Sequence, residues 1–190
     1  MRDKSGGFDG RAVRAGKYAR VERERRFLLA GPPDAAAVTV TCVISDRYLD
    51  GTRLRLRRAE FADGRREIKL TQKVPVSGPG AVQGLITNTY LTPAECDVLS
   101  TLPARVLSKT RLSVPPLGID VFDGELRGLV LAEAEFGSDE DALSFVPPAA
   151  CRVEVTDDDR FTGGRLVRTS RQELLGWLAE YGLHPGDVQP

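Results

Sequence analysis

A chain of 190 residues, 41% of them apolar and 28% charged, has the length of one ordinary domain and enough apolar side chain to bury a core. Its 27 lysines and arginines balance 27 aspartates and glutamates, and that neutrality argues against a general nucleic-acid binder, which needs a net basic field. Three scattered cysteines, Cys42, Cys96 and Cys151, suggest neither a disulfide framework nor a thiolate metal site, and a lone His184, expected at the surface, removes Ser-His-Asp, Cys-His and multi-histidine zinc chemistry.

Residues 1–18 mix glycine with Arg2, Lys4, Arg11, Arg14 and Lys17 without periodicity and read as a disordered basic tail. A single domain is expected over 19–182, with a second tail at 183–190. No apolar run approaches 18 residues and no signal-peptide core is evident, so a soluble cytoplasmic protein without membrane contact is expected. The first predicted strand, 19–29, places Glu22, Glu24 and Arg26 at every second position and so on one face. Two carboxylates and a guanidinium side by side are unfavourable to bury without compensation. A divalent cation on the acids with an anion on the arginine would compensate them, and a solvated edge strand would need neither.

Gly31-Pro32-Pro33 ends that strand, and a β-branched run over 38–49 leads to the hairpin signal Asp50-Gly51. Residues 52–58 then alternate strictly, Arg53, Arg55 and Arg57 on one face and Leu54 and Leu56 on the other. Such a row of guanidiniums suits a solvated face or a clamped polyanion. Over 66–76, Lys69, Thr71 and Lys73 share a face opposite Ile68, Leu70 and Val74, and 84–91 is a further strand. Thr92-Pro93-Ala94-Glu95 opens a short helix through an N-cap threonine, a first-position proline and a capping-box glutamate.

The extended stretch 106–114 brings Lys109 and Arg111 to one face, and 119–122 carries Asp120. After Asp123-Gly124, residues 129–136 repeat the Glu-x-Glu pattern at Glu133 and Glu135, with Ala132, Ala134 and Phe136 opposite. A capped helix over 138–145, a strand over 151–155 carrying Glu154, and an amphipathic helix over 170–181 with the stripe Leu174, Leu175, Leu178 and Tyr181 complete the chain.

Hairpin-connected strands with a few helices indicate an antiparallel α+β protein. The charged faces are sorted by sign, acids on the strands 19–29 and 129–136 and bases on three others, whereas a solvated face ordinarily mixes signs. Closing the sheet into an eight-stranded antiparallel β-barrel, charged face inward and helices on the apolar outside, accounts for the sorting. Such an interior must be filled by water, metal and ligand. Carboxylates collect hard cations such as Mg²⁺ or Mn²⁺. The bases Arg26, Arg53, Arg55, Arg57, Lys69, Lys73, Lys109 and Arg111 exceed what a monophosphate needs and match a triphosphate.

These motifs resemble the CYTH superfamily, the triphosphate tunnel metalloenzymes that include thiamine triphosphatases, inorganic triphosphatases and class IV adenylyl cyclases. Glu22-Arg23-Glu24-Arg25-Arg26-Phe27 is similar to the family's opening Glu-x-Glu-x-Lys. It is followed in the family's order by Leu54-Arg55-Leu56-Arg57, Leu70-Thr71-Gln72-Lys73, Lys109-Thr110-Arg111, Asp120, Ala132-Glu133-Ala134-Glu135-Phe136 and Glu154-Val155-Thr156. The resemblance implies an eight-stranded tunnel in which Glu22, Glu24, Glu133 and Glu135 hold metal, with Asp120 and Glu154 as additions. It places Arg26, Arg55, Arg57, Lys73, Lys109 and Arg111 on the phosphates, where parity adds Arg53 and Lys69, and it makes Glu22, Glu24 and Arg26 central to catalysis. Arg26 replaces the signature lysine, a fixed fork for a movable ammonium, and Thr87-Asn88-Thr89-Tyr90 stands where many relatives carry alternating acids. The implied activity is Mg²⁺- or Mn²⁺-dependent hydrolysis of an inorganic or organic triphosphate. ATP cyclisation, and non-catalytic binding of polyphosphate, nucleotide or RNA 5′-triphosphate ends, stay open as alternatives.

Overall fold

A computed structural model describes residues 16–76 and 78–184, so the expected tails fall outside the described residues except for 16–18 and 183–184. The strands are β1 (Arg20–Leu29), β2 (Val40–Leu49), β3 (Leu54–Phe61), β4 (Arg66–Pro75), β5 (Val82–Tyr90), β6 (Ala104–Val114), β7 (Leu117–Phe122), β8 (Val130–Glu135) and β9 (Cys151–Glu154). The order β5-β4-β3-β2-β6-β7-β8-β1 closes on itself through a β1–β5 pairing, and β9 adds to the end of β1. Every pairing is antiparallel, which makes the expected eight-stranded α+β barrel. At the closing seam Gly84 lies opposite Glu22 of β1 with φ +148°, and on its other side a Cβ would stand 2.3 Å from the Val74 carbonyl oxygen of β4.

Four helices flank the barrel: α1 (Pro93–Ser100), α2 (Asp139–Ser144), α3 (Gly163–Leu166) and α4 (Arg171–Glu180). The Thr92 and Glu95 capping box starts α1, Ser138 caps α2, and a second box of Ser170 and Glu173 starts α4. On the outside, Phe27, Leu29, Leu117, Ile119, Val130, Ala132 and Ala134 form a core under Phe136 and Phe145, whose rings meet edge-on at 5.2 Å. Among the described residues no helix is long and apolar enough to cross a membrane, and His184 is exposed.

Two expectations change. The stripe of α4 does not lie on the barrel's outside. Leu174 and Leu178, with Phe161 and Leu166, pack on Leu28, Leu107, Phe122 and Leu131. Those strand residues share parity with Arg26, Lys109, Asp120 and Glu133, so they face inward and α4 covers one end of the barrel. Toward the opposite end of β2, Cys42 and Ile44 form a small inner cluster with Ala59. The charged interior is therefore a belt between apolar layers, which confines the desolvation penalty to the strands' middle. The second change is the β2–β3 connection, which spans four residues, 50–53, instead of a two-residue hairpin. Gly51 turns the chain at φ +71°, and the Thr52 hydroxyl donates to the Leu49 carbonyl and accepts from Leu54 N–H. Arg53 accordingly sits in the turn, and Asp46 pairs with Arg57 and Tyr48 with Arg55.

Candidate active site

The inward positions of β3, β2, β6 and β7 alternate base and acid strand by strand. Arg57 donates from Nε and Nη2 to the two oxygens of Asp46 at 2.7 Å each, and the Arg55 Nε stands 3.6 Å from the same carboxylate. Arg111 donates from Nε and Nη2 to Asp120, again at 2.7 Å each, and Lys109 pairs with it from the same strand. Antiparallel register creates both forks, because Asp46 lies directly opposite Arg57 and Arg111 directly opposite Asp120. Both aspartates are 0% exposed.

Electrostatics follow from that wiring. Burial would raise the Asp46 carboxyl, yet the hydrogen bonds and charge of Arg57, with Arg55 behind, hold it down at about 2. Burial lowers the Lys109 ammonium against the pull of Asp120 and Glu133. The same burial is overcome at Arg111, where Glu133 and Asp120 raise the guanidinium. Between β4 and β5 the Thr71 hydroxyl donates to Asn88 Oδ1 at 2.7 Å, and it accepts from Arg55 Nη2 at 3.4 Å.

The acids face this basic wall from β1 and β8, where register sets Glu24 opposite Glu135 and Arg26 opposite Glu133. Lys73 donates to both oxygens of Glu22 at 2.7 and 2.9 Å, and Arg111 reaches across to Glu133. Arg26, 4% exposed, donates to Glu24 at 3.1 Å and to the Thr156 carbonyl at 2.6 Å, and its Nε has no partner. Burial, with repulsion from Glu133, lifts the Glu24 carboxyl to about 7. Glu133 is instead held below the usual carboxylate range, because Arg111, Lys109 and Lys73 outweigh its own burial.

A cavity of about 720 Å³ unites the two walls. Glu22, Glu24, Arg26, Arg53, Arg55, Arg57, Lys69, Lys73, Lys109, Arg111, Glu133 and Glu135 all line it. Two expected metal ligands do not. Asp120 is covered by Lys109 and Arg111, which take both its oxygens. Glu154 pairs in register with Phe27 on the barrel's outer face, where it is exposed and accepts both arms of Arg25 at 2.8 and 2.7 Å. Its motif order resembled the family's, but β9 adds outside β1 and turns that position away from the chamber.

The sequence reading missed Asp46, Tyr48, Asn88 and the segment 159–165. Tyr48, Asn88 and that segment line the cavity. Burial, with the nearby Asp46 charge, raises the Tyr48 phenol to about 12. Gly163 packs on this ring so closely that a Cβ would stand 2.1 Å from the hydroxyl. The segment has no hydrophobic period to announce it; its one local signal is Asp158, whose side chain caps the turn Asp159–Phe161 by accepting from Arg160 N–H.

The carboxylates of Glu22, Glu24, Glu133 and Glu135 are hard oxygen donors of the kind divalent cations select. The Glu24 carboxyl is lifted first by its burial and then by repulsion from Glu133 and Glu22, against the pull of Lys73 and Arg26. Among the described residues no three acidic, histidine or cysteine side chains converge as a preformed cage, because Lys73 and Arg111 draw Glu22 and Glu133 aside. The donor chemistry suits a divalent cation, and in this structure Glu22 and Glu133 are held on Lys73 and Arg111.

No family model matches the chain. It is 34% identical over 159 residues to an inorganic triphosphatase of Nitrosomonas europaea, a match that covers 77% of this chain and 96% of that protein. Two crystal structures of NE1496, one described as an inorganic triphosphatase and the other as a hypothetical protein, superpose with a TM-score of 0.51. They are 25% and 27% identical and cover 79% and 78% of this chain, and 96% and 99% of their own.

Proposed function

The chain belongs to the CYTH superfamily of triphosphate tunnel metalloenzymes, and from that premise we propose that it hydrolyses inorganic tripolyphosphate in its chamber with Mg²⁺ or Mn²⁺. The observation that carries this reading is the facing of two walls of opposite charge, acids on β1 and β8 and bases on β3, β4 and β6, across one cavity. A linear polyanion with its counter-cation is the ligand that neutralises both walls at once.

In this reading Arg53, Arg55, Arg57, Lys69, Lys73, Lys109 and Arg111 hold the phosphates and spread the charge that builds up on their oxygens during cleavage. Glu22, Glu24, Glu133 and Glu135 hold the cation, and Arg26 keeps Glu24 in place through the bond observed between them. A divalent cation bound there supplies charge neutralisation on the phosphate oxygens and a more acidic water. In this reading water is the attacking group, and no covalent intermediate is required. The cavity's charged lining makes phosphate oxygens the main recognition element, which favours the inorganic substrate.

Phosphate release from tripolyphosphate with Mg²⁺, with Mn²⁺ and with chelator, beside ATP and thiamine triphosphate, tests the proposal. Cation-dependent release that is greatest for tripolyphosphate and lost in Glu24→Gln is expected. Full cation-dependent release by both Glu24→Gln and Glu133→Gln would overturn the roles given to these acids, and absence of release under every cation would overturn the reaction.

A further inference from the structure

We propose that Asp46 is a positioning residue for the triphosphate, acting through Arg57; the inference rests on the reading of the chamber as a triphosphate site. Asp46 cannot touch a ligand. It is 0% exposed and absent from the cavity lining, whereas Arg57, directly opposite it in register, and Arg55, one inward position along β3, both line the cavity. Its effect must pass through the guanidiniums it holds.

The hold is specific in direction. Arg57 spends Nε and Nη2 on the two Asp46 oxygens and makes no other hydrogen bond among the described residues, which leaves Nη1 for a phosphate oxygen. Bidentate pairing fixes the plane of the guanidinium as well as its position. Arg55 is held more loosely, 3.6 Å from Asp46 with its buried Nε unpartnered and one long bond from Nη2 to Thr71, so Asp46 ranks the two arginines, one locked and one loosely held. The Lys73 pair with Glu22 differs in kind, since both partners line the cavity and Lys73 is 40% exposed. A buried ion pair is weak evidence of stabilisation, because desolvation opposes the attraction. Orientation of the locked guanidinium is what the arrangement provides.

The test measures tripolyphosphate affinity by calorimetry, and KM and kcat by phosphate release, for wild type, Asp46→Asn, Arg57→Ala and the double variant, with thermal unfolding for each. Asp46→Asn is expected to weaken affinity and raise KM about tenfold, and to add under twofold once Arg57 is already alanine. A merely structural role would lower the melting temperature and leave KM and affinity within twofold of wild type, and that result would overturn the proposal. Independent, multiplying effects of Asp46→Asn and Arg57→Ala would overturn it too. If Asp46→Asn does not fold, Asp46→Glu carries the test: it keeps the charge but displaces the guanidinium, so wild-type affinity in that variant counts against the proposal and weakened affinity supports it. Wild type that binds tripolyphosphate without cleaving it would sink the proposed reaction and still read out the positioning; wild type that does not bind it overturns both.

Discussion

On β3, β2, β6 and β7 each inward carboxylate lies fully buried beneath two bases, Asp46 under Arg55 and Arg57, and Asp120 under Lys109 and Arg111. On β1 and β8 four carboxylates line the cavity, and Arg26 is the one base those two strands turn toward it. The basic wall carries its own counter-charges, so its forks are oriented before any ligand arrives. The acidic wall takes its counter-charges from Lys73 and Arg111, each two strands along the barrel, and burial lifts Glu24 to about 7. One wall is preorganised and the other keeps its acids at the cavity surface, a difference that in the proposed function divides substrate holding from metal holding.

The largest effects are expected at the acids. Glu24→Gln and Glu133→Gln preserve shape and remove a charged oxygen donor, and each is expected to lower the rate of phosphate release by about 100-fold or more at saturating Mg²⁺. If the acidic wall served only as a partner for Lys73 and Arg111, the same variants would fall by a few-fold at most.

Removal of a base separates the walls by stability instead of rate. Arg57→Ala strands the buried Asp46 carboxylate and is expected to lower unfolding free energy by about 3–5 kcal/mol in urea titration. Lys73→Ala leaves Glu22 at the cavity surface, where solvent screens it, and is expected to change stability by under about 1 kcal/mol. Equal losses in the two variants would show that the basic wall is no more buried in its energetics than the bridge between walls.

A pH titration sharpens the point at the acidic wall. The Glu24 carboxyl titrates near 7 in the fold against 4.5 in the ordinary case, so folding takes up a proton between those values. Its contribution is undiminished below pH 4.5 and is lost as pH climbs through 7, by about 3 kcal/mol in total. Glu133, held low by Arg111, contributes in the opposite sense, stabilising above its ordinary pKa. Comparison with Glu24→Gln isolates the first effect: in chelator the variant should gain on wild type as pH rises from about 5 to about 8, and saturating Mn²⁺ should shrink the gain. A constant difference across that range would show that Glu24 is already neutralised by the protein.

Much of this arrangement was legible because period-two alternation reports faces directly. Glu22, Glu24, Arg55, Arg57, Lys73, Lys109, Arg111 and Glu133 were all placed inward by parity, and closure into a barrel followed from the sorting of signs. Parity does not say where along a strand the inward face turns apolar, which is why Leu28 and Leu107 came to meet α4 inside the barrel's end. Register was the other gap. A two-residue hairpin at Asp50-Gly51 would have set Asp46 opposite Arg55, and the four-residue turn slides the pairing by one full period to Arg57. Nothing in 159–165 has a period at all, so its place against Tyr48 emerges only from packing.

Sequence neighbours give the sharpest form of the comparison. Arg25 and Arg26 are adjacent on β1 and point to opposite faces, Arg26 inward to Glu24 and Arg25 outward to Glu154. The outer pair is a bidentate fork, and Arg25 also donates to the carbonyls of Ala142 and Phe145, which ties the end of α2 to the barrel. The hydrogen bonds from Arg25, helped by Thr156, hold the Glu154 carboxyl below its ordinary value. Glu154 is 40% exposed and does not line the cavity, so Glu154→Gln is expected to leave cation-dependent phosphate release within twofold of wild type and to lower stability by under about 1 kcal/mol. Glu24→Gln, one strand face away, removes the same chemical group from the chamber. A matching loss of activity in Glu154→Gln would mean that β9 reaches the metal, and that the chamber's acidic wall extends beyond β1 and β8.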